Sequence, residues 1–153
     1  MSVELRTVRL TDPVLAPLLS GLAAEYEARY GANDELADAP PEQFDPPDGV
    51  FLALVVDGEL AAGGGIRRYD ADTCEVKRMW TAPRHRRRGH ARRVLAALED
   101  CARDLGYTRL LLETGPAQPE AIAMYHDLGY QRIPYYGRYE FALAFERRLC
   151  ATI

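Results

Sequence analysis

The first third of the chain predicts a strand, a helix and a long loop. Residues 3–9 alternate apolar and polar side chains, which is the pattern of a half-buried strand. Asp12 followed by Pro13 is typical of a helix start, because aspartate caps free amides and proline fits the first turn. Residues 32–49 hold four prolines and six acids, and this composition predicts a loop. Between them, apolar side chains recur at helical spacing: Leu15, Leu18, Leu19, Leu22, Tyr26 and Tyr30.

The middle of the chain predicts three consecutive strands. Residues 51–56 are an apolar run, and the pair Asp57–Gly58 predicts a tight hairpin turn into residues 59–68. The three glycines at 63–65 weaken that strand and indicate a bulge or a close approach to its backbone. Residues 74–81, CEVKRMWT, follow a second turn as the third strand.

After Pro83 the hydrophobic spacing becomes helical. A helix is predicted from near Gly89 to Gly106, with Ala91, Val94, Leu95, Leu98, Cys101, Ala102 and Leu105 on its apolar face. The run RLLLET predicts a buried strand, Pro119 begins another helix that Gly129 ends, and two strands follow. The order β-α-loop-β-β-β-α-β-α-β-β predicts a single α/β domain over residues 1–153, with a mostly antiparallel sheet flanked by helices.

The composition narrows the classes of function. The 153 residues carry a net charge of -4, so the chain as a whole does not attract nucleic acid. The cysteines Cys74, Cys101 and Cys150 are widely spaced, and the histidines lack partners at ligand spacing, so no metal site is expected. No apolar run is long enough to span a bilayer, and the N-terminus has no secretory signal. These features predict a cytoplasmic protein without metal, membrane or nucleic-acid partners.

One basic segment departs from the acidic average. Between Lys77 and Arg93 lie eight lysines or arginines and no acid. The loop Arg86–Arg92 joins a predicted strand to a helix start, where free amides and the helix dipole favour an anion. Gly89 and the small Ala91 let an anion approach the backbone. A solvated surface and a nucleic-acid contact are alternatives, but no interleaved aromatic residues offer base stacking, so a small-molecule pyrophosphate is favoured.

The segment EVKRMWTAPRHRRRGHARRVL, residues 75–95, resembles the coenzyme-binding motif of the GNAT superfamily of N-acetyltransferases. The family pattern of Arg or Gln, two residues, Gly, one residue, and Gly or Ala corresponds to Arg86–Ala91. Downstream, Tyr125, Gly129 and Tyr130 resemble a second family signature, and the likeness covers about residues 50–133. The family often has glycine at the position of Arg87 and asparagine at that of Gln118, so a looser turn is expected at Arg87.

The resemblance implies a GNAT-like fold, with its sheet splayed where acetyl-coenzyme A binds, and acyl transfer to an amine. The pyrophosphate would lie on the amides of residues 87–92, with the side chains of Arg86 and Arg88 beside it. The pantetheine arm would pair with the strand that precedes the loop. The residues implied in coenzyme binding are Met79, Trp80, Thr81, Arg86, Arg87, Arg88, Gly89, His90, Ala91, Arg92, Gln118 and Tyr125.

The same resemblance implies two catalytic residues. Glu75 is the candidate base, acting through water, and Tyr125 is the candidate acid that protonates the departing sulfur. The alternatives are a solvent-facing strand glutamate at position 75 and a core aromatic residue at position 125.

The acceptor is predicted less directly. The six acids within residues 34–48 would favour a cationic small amine, unless this segment is only a solvated loop. Candidate tyrosines for the acceptor pocket are Tyr26, Tyr30, Tyr135, Tyr136 and Tyr139. A protein or peptide acceptor and a non-catalytic acyl-coenzyme A sensor are alternative functions, and a homodimer is a possible assembly.

Overall fold

The computed structural model describes residues 2–30, 40–115, 119–137 and 142–149. The strands are β1 Val3–Val8, β2 Val50–Val56, β3 Glu59–Arg68, β4 Thr73–Thr81, β5 Arg109–Thr114, β6 Gln131–Ile133 and β7 Leu143–Arg148. The helices are α1 Ala16–Tyr30, α2 His90–Asp104 and α3 Pro119–Asp127, with short 3-10 turns at Pro13–Leu15, Pro41–Phe44 and Pro83–His85. The predicted order of strands and helices is confirmed.

The described strands form one sheet in the order β1-β2-β3-β4-β5-β7-β6. All neighbours pair antiparallel except β4 and β5, which are parallel and are joined through α2. The predicted mixed, mostly antiparallel sheet with flanking helices is therefore confirmed.

Hydrophobic side chains cover the sheet on both faces. On one face, Val94, Leu95 and Leu98 of α2 pack with Ile66 and Val76 of the sheet in one buried cluster. A second cluster joins the residues on the α1 side, namely Leu15, Leu18, Leu22, Phe44, Phe51, Leu60 and Trp80. The sheet thus separates two environments, and the alternation along each strand decides which one a side chain enters.

The turns follow the residues that the sequence supplies. The Asp12 side chain accepts a hydrogen bond from the Val14 amide at 2.9 Å, which caps the turn before α1 as predicted. Asp57 and Gly58 both have positive φ values, 50° and 81°, as a two-residue hairpin turn requires. Gly106 ends α2 with a φ of 93°.

The three glycines of β3 mark a bulge and also allow a close approach to the backbone, the two alternatives that the sequence left open. The register between β3 and β4 shifts between Gly63 and Gly65, which marks a bulge. A Cβ on Gly63 would lie 2.7 Å from the Leu18 side chain, and one on Gly65 would lie 2.5 Å from Phe51. The missing side chains therefore leave room for residues that pack across the strand.

None of the helices in the part of the chain that the structure describes is long and apolar enough to cross a membrane. Within the same residues, no group of three or more histidine, cysteine or acidic side chains is placed to hold a metal ion.

Replacing Gly65 with alanine should lower the free energy of unfolding by about 1–3 kcal/mol, because the new methyl group overlaps two aromatic rings. Its Cβ would lie 2.5 Å from Phe51 and 2.7 Å from Phe44. Gly64→Ala is the comparison in the same strand, since its Cβ would lie 2.3 Å from Sδ of Met79 and 3.5 Å from Leu98, and an unbranched methionine adjusts more readily than two aromatic rings. Urea unfolding of both variants measures the difference. An equal loss of stability in the two variants would contradict this packing.

Candidate active site

The sheet opens between its two parallel strands. β4 and β5 are paired only as far as Val76 opposite Leu112. Both continue, to Thr81 and to Thr114, but no further pairing joins them within the described ranges. Beyond that point β4 keeps β3 as its neighbour and β5 keeps β7. The divergence produces a gap at the C-terminal ends of β4 and β5, and this is the predicted splay of the sheet.

A bulge in β4 lies beside this gap. Arg78 has a φ of 60°, and the register with β3 shifts at this level of the strand. The Arg78 guanidinium lies over the Phe44 ring, 5.6 Å from its centroid, so the bulged residue is held on the face that carries α1. The bulge shifts by one residue the alternation of side chains along β4.

Met79 and Trp80, which follow the bulge, pack on opposite faces of the sheet, each in space that a glycine leaves open. The sulfur of Met79 lies over Gly64, where a Cβ would be 2.3 Å away. The Trp80 ring lies against Gly21 of α1, where a Cβ would be 2.4 Å from Nε1. Both side chains are thus committed to packing, so a ligand in the gap would meet the backbone of this segment.

The segment between β4 and α2 turns tightly before the helix begins at His90. Arg87 and Gly89 have positive φ values of 63° and 80°. A Cβ on Gly89 would meet no atom within 4 Å, so the space beside this residue is open. Arg87 adopts the left-handed conformation that glycine favours, and the looser turn expected at this position is therefore wrong. The arginine retains the turn at a cost of about 1–2 kcal/mol.

The amides of this turn lack acceptors. The first backbone hydrogen bond into α2 runs from the Arg93 amide to the Gly89 carbonyl at 3.1 Å. The amides of residues 87–92 donate to no other group in the described part of the chain. Since the dipole of α2 adds partial positive charge here, the turn suits an anion.

The arginine side chains of the turn differ in their contacts. Arg86 donates from Nε to the Thr81 carbonyl at 3.4 Å and lies 3.8 Å from Glu25 of α1. Arg92 forms a 2.7 Å ion pair with Asp127 of α3. The side chains of Arg87 and Arg88 are exposed and make no ion pair with any described residue. They are therefore available to a mobile anion.

Two histidines flank the same turn. His85 is buried, and neither of its ring nitrogens has a hydrogen-bond partner among the residues described. His90 is half-buried, with its ring 6.0 Å from that of His85. Burial lowers the pKa of His90, and the nearby His85, Arg88 and Arg93 lower it further. His90 is therefore biased towards its neutral form, and the positive charge of the turn comes from arginine.

Tyr125 lies on α3 within the cluster that covers the α2 face. Only 4% of its surface is exposed, and its ring packs 5.8 Å from Tyr130 and 5.5 Å from Phe145. Its hydroxyl has no hydrogen bond to another described residue. Burial raises the pKa of Tyr125 to about 12, so the phenol keeps its proton at neutral pH. The residue is thus a core aromatic that retains a transferable proton.

Glu75 lies on β4 before the bulge and is not a solvent-facing glutamate, since 5% of its surface is exposed. Its Oε1 accepts a hydrogen bond from Nε of Arg67 and lies 3.1 Å from both Nε and Nη2. Its Oε2 accepts a 2.7 Å hydrogen bond from the Tyr136 hydroxyl and lies 3.9 Å from Nζ of Lys77. Cations and a phenol therefore compensate this buried carboxylate.

Arg67 was not predicted as a site residue, although the sequence contained a signal for it. β3 and β4 were predicted to be joined by a short turn. In such a hairpin, residues at equal distances from the turn pair with each other, and Arg67 does pair with Glu75. Tyr136 was one of five candidate tyrosines, and nothing in the sequence selected it. Its contact with Glu75 spans 61 residues and arises only when the segment after β6 folds back over the sheet.

The acidic segment is only partly described. Asp45 pairs with Arg9 and Asp48 pairs with Arg68, each at 3.0 Å, so both of these acids have an arginine partner within the chain. Residues 34–39, Gln118 and Tyr139 lie outside the described residues, and the side chains of Tyr26 and Tyr30 are likewise not described.

Comparison with known proteins agrees with the geometry. The sequence model of the Acetyltransferase (GNAT) family matches residues 18–130. The uncharacterized N-acetyltransferase YjgM of Escherichia coli is 30% identical over 142 residues, which are 88% of this chain and 85% of that protein.

Solved structures share the fold. A Klebsiella pneumoniae chain described as an acyl-CoA N-acyltransferase superposes with a TM-score of 0.81 at 29% identity, covering 97% of this chain and 98% of that one. The PaiA N-acetyltransferase of Thermoplasma acidophilum, solved with coenzyme A, has a TM-score of 0.73 at 16% identity and covers 97% and 99% of the two chains. The family match, the relative and the splayed sheet together show that this chain belongs to the GNAT family and is an acyltransferase.

Proposed function

We propose that this protein transfers an acetyl group from acetyl-coenzyme A to a primary amine of a small molecule. The observation that carries the proposal is the gap between β4 and β5, which leads to a turn whose amides at residues 87–92 have no acceptor among the described residues. A pyrophosphate matches those amides and the helix dipole in charge and geometry. The coenzyme A bound by the Thermoplasma protein supports this choice of cosubstrate.

The coenzyme would bind mainly through the backbone. Its pantetheine arm resembles a peptide, so it would add to the free edge of β4 at Met79, Trp80 and Thr81. The side chains of Arg86 and Arg88 would strengthen the hold on phosphate, for which Arg86 must leave the Thr81 carbonyl. Gln118 would contact the arm, as the family resemblance implies.

The reaction needs proton transfers at both reacting ends. An ammonium acceptor first loses one proton towards Glu75, and the resulting neutral amine attacks the thioester carbonyl carbon. A C–N bond forms, the C–S bond breaks and the nitrogen loses its second proton to water, while the sulfur takes a proton from the Tyr125 hydroxyl, which water then restores. Glu75 and Tyr125 are suited to these roles because one is a charge-compensated carboxylate and the other a protonated phenol on the opposite face of the sheet.

A small acceptor is supported by the cover over Glu75. The segment after β6 reaches the sheet, where Tyr136 hydrogen-bonds Glu75 and Gly137 lies against the Glu113 carboxylate. This segment would narrow the approach to the base, which suits a small amine better than a protein chain.

The direct test is a thiol-release assay with acetyl-coenzyme A. The panel contains amines, polyamines, amino acids, aminoglycosides and peptides. The expected result is turnover with a member of the small-molecule groups. If only peptides were acetylated, the acceptor would be a peptide or protein and not a small molecule. If the protein bound the coenzyme but acetylated nothing, it would be a non-catalytic acyl-coenzyme A sensor.

Gly89→Val should weaken the binding of coenzyme A at least tenfold, because a β-branched residue strains the positive φ and fills the open space beside the turn. Gly106→Val is the matched control, since it places the same strain at the other end of α2. Isothermal titration calorimetry measures both affinities. A Gly89→Val protein that is folded and binds with the parent's affinity would rule out the phosphate turn.

Tyr125→Phe should lower kcat on the order of a hundredfold and leave coenzyme affinity unchanged, because it removes the proton donor and keeps the ring. The raised pKa of Tyr125, about 12, means that its proton is present throughout the neutral range, so the loss should not vary between pH 6 and about 9. Tyr130→Phe is the control, because it removes a neighbouring hydroxyl that binds Glu99. If Tyr125→Phe matched the parent's kcat, Tyr125 would not be the acid.

A further inference from the structure

Both oxygens of the Glu75 carboxylate accept a hydrogen bond. The Arg67 guanidinium donates to Oε1, and the Tyr136 hydroxyl donates to Oε2 at 2.7 Å. Oε2 could accept one more hydrogen bond, but Glu75 is buried and Nζ of Lys77 lies 3.9 Å from this oxygen. An amine that gave its proton directly to Glu75 would have to enter between Lys77 and the Tyr136 hydroxyl. Arg67 is further held by a 2.8 Å hydrogen bond to Gln43, so the side of Glu75 that faces Arg67 is closed.

Tyr136 is the residue that donates a hydrogen bond to Oε2 of Glu75. It lies in the segment between β6 and β7 and is half-buried, so part of its side chain is reachable from solvent. Its ring packs edge-on against Tyr69 with centroids 5.4 Å apart, which fixes the direction of the hydroxyl. A phenol oxygen that donates one hydrogen bond still has lone pairs with which to accept another.

We propose that Tyr136 relays the proton between the acceptor amine and Glu75. This inference rests on the proposed function. An N–H bond of the acceptor ammonium breaks as an O–H bond forms on Tyr136, and the original Tyr136 O–H bond breaks as its proton passes to Oε2 of Glu75, which leaves a neutral amine. Tyr136 ends the step neutral, Glu75 ends it protonated, and Glu75 later releases the proton to water. The tyrosine takes the place of the water through which the glutamate was expected to act.

The charges around the pair agree with this direction. Burial raises the pKa of Tyr136, and the charge of Glu75 raises it further, so the phenol is protonated at neutral pH and the carboxylate accepts. Arg67 of β3 and Lys77 of β4 face the carboxylate. Glu113 of β5 faces the phenol and also raises its pKa. Arg67 and Lys77 thus compensate the charge of the buried Glu75 carboxylate.

The test compares Tyr136→Phe, Glu75→Gln and the double variant with the best acceptor of the panel. Tyr136→Phe should lower kcat/KM on the order of a hundredfold at pH 7, because the relay loses its hydroxyl. The loss should shrink at a pH above the pKa of the amine in solution, where neutral amine is abundant. The double variant should be no slower than the slower single variant, since the two residues act in series.

Tyr69→Phe is the matched control. It keeps the ring that packs on Tyr136, and its own hydroxyl has no hydrogen-bond partner among the residues described. Its rate should equal that of the parent at every pH. Thermal unfolding and coenzyme affinity of all variants separate a loss of folding from a loss of chemistry.

The outcomes distinguish the relay from the function on which it rests. A parent that binds coenzyme A and acetylates no member of the panel overturns both. An active parent with Tyr136→Phe as fast or faster overturns the relay alone, because the hydroxyl would then merely cover Glu75. A loss that stays constant with pH, or that multiplies in the double variant, also overturns it, since a structural role would behave in this way.

Discussion

β4 is paired with β3 along its length but with β5 only as far as Val76, and the candidate site depends on this difference. A strand that loses one neighbour exposes a row of backbone groups that another extended chain can satisfy. The bulge at Arg78 and the two glycine-backed side chains, Met79 and Trp80, hold that row in place without a neighbouring strand. The same strand then leads directly into the turn at Arg87–Gly89, so in the proposed complex one continuous stretch of backbone would bind both the arm and the phosphates.

The sheet also separates the two candidate catalytic groups. Tyr125 belongs to the cluster on the α2 face, whereas Glu75 is directed to the α1 face and compensated there by Arg67. A thioester in the gap would therefore have a proton donor on one side and a proton acceptor on the other. This separation would let the two groups act at different atoms of the reacting complex, because they share no hydrogen bond.

Much of this could be predicted from sequence because it is local. The hairpin at Asp57–Gly58 and the start of α2 after Gly89 follow from residue preferences within a few positions. Two features were missed because they depend on distant partners. Glu99 does not belong to the predicted apolar face of α2, yet it is buried and accepts a hydrogen bond from the Tyr130 hydroxyl at 2.5 Å. The positive φ of Arg87 is also invisible to residue preference, because the surrounding loop overrides it.

The position of Glu75 explains why a relay is needed. A carboxylate buried in the sheet requires permanent partners, since an uncompensated charge there costs several kcal/mol. Arg67 supplies the charge and Tyr136 supplies the second hydrogen bond. Those partners compensate the carboxylate, but they also stand between it and an amine that approaches from solvent. A phenol resolves this conflict where a second arginine would not, because its oxygen both donates to the carboxylate and accepts from the amine.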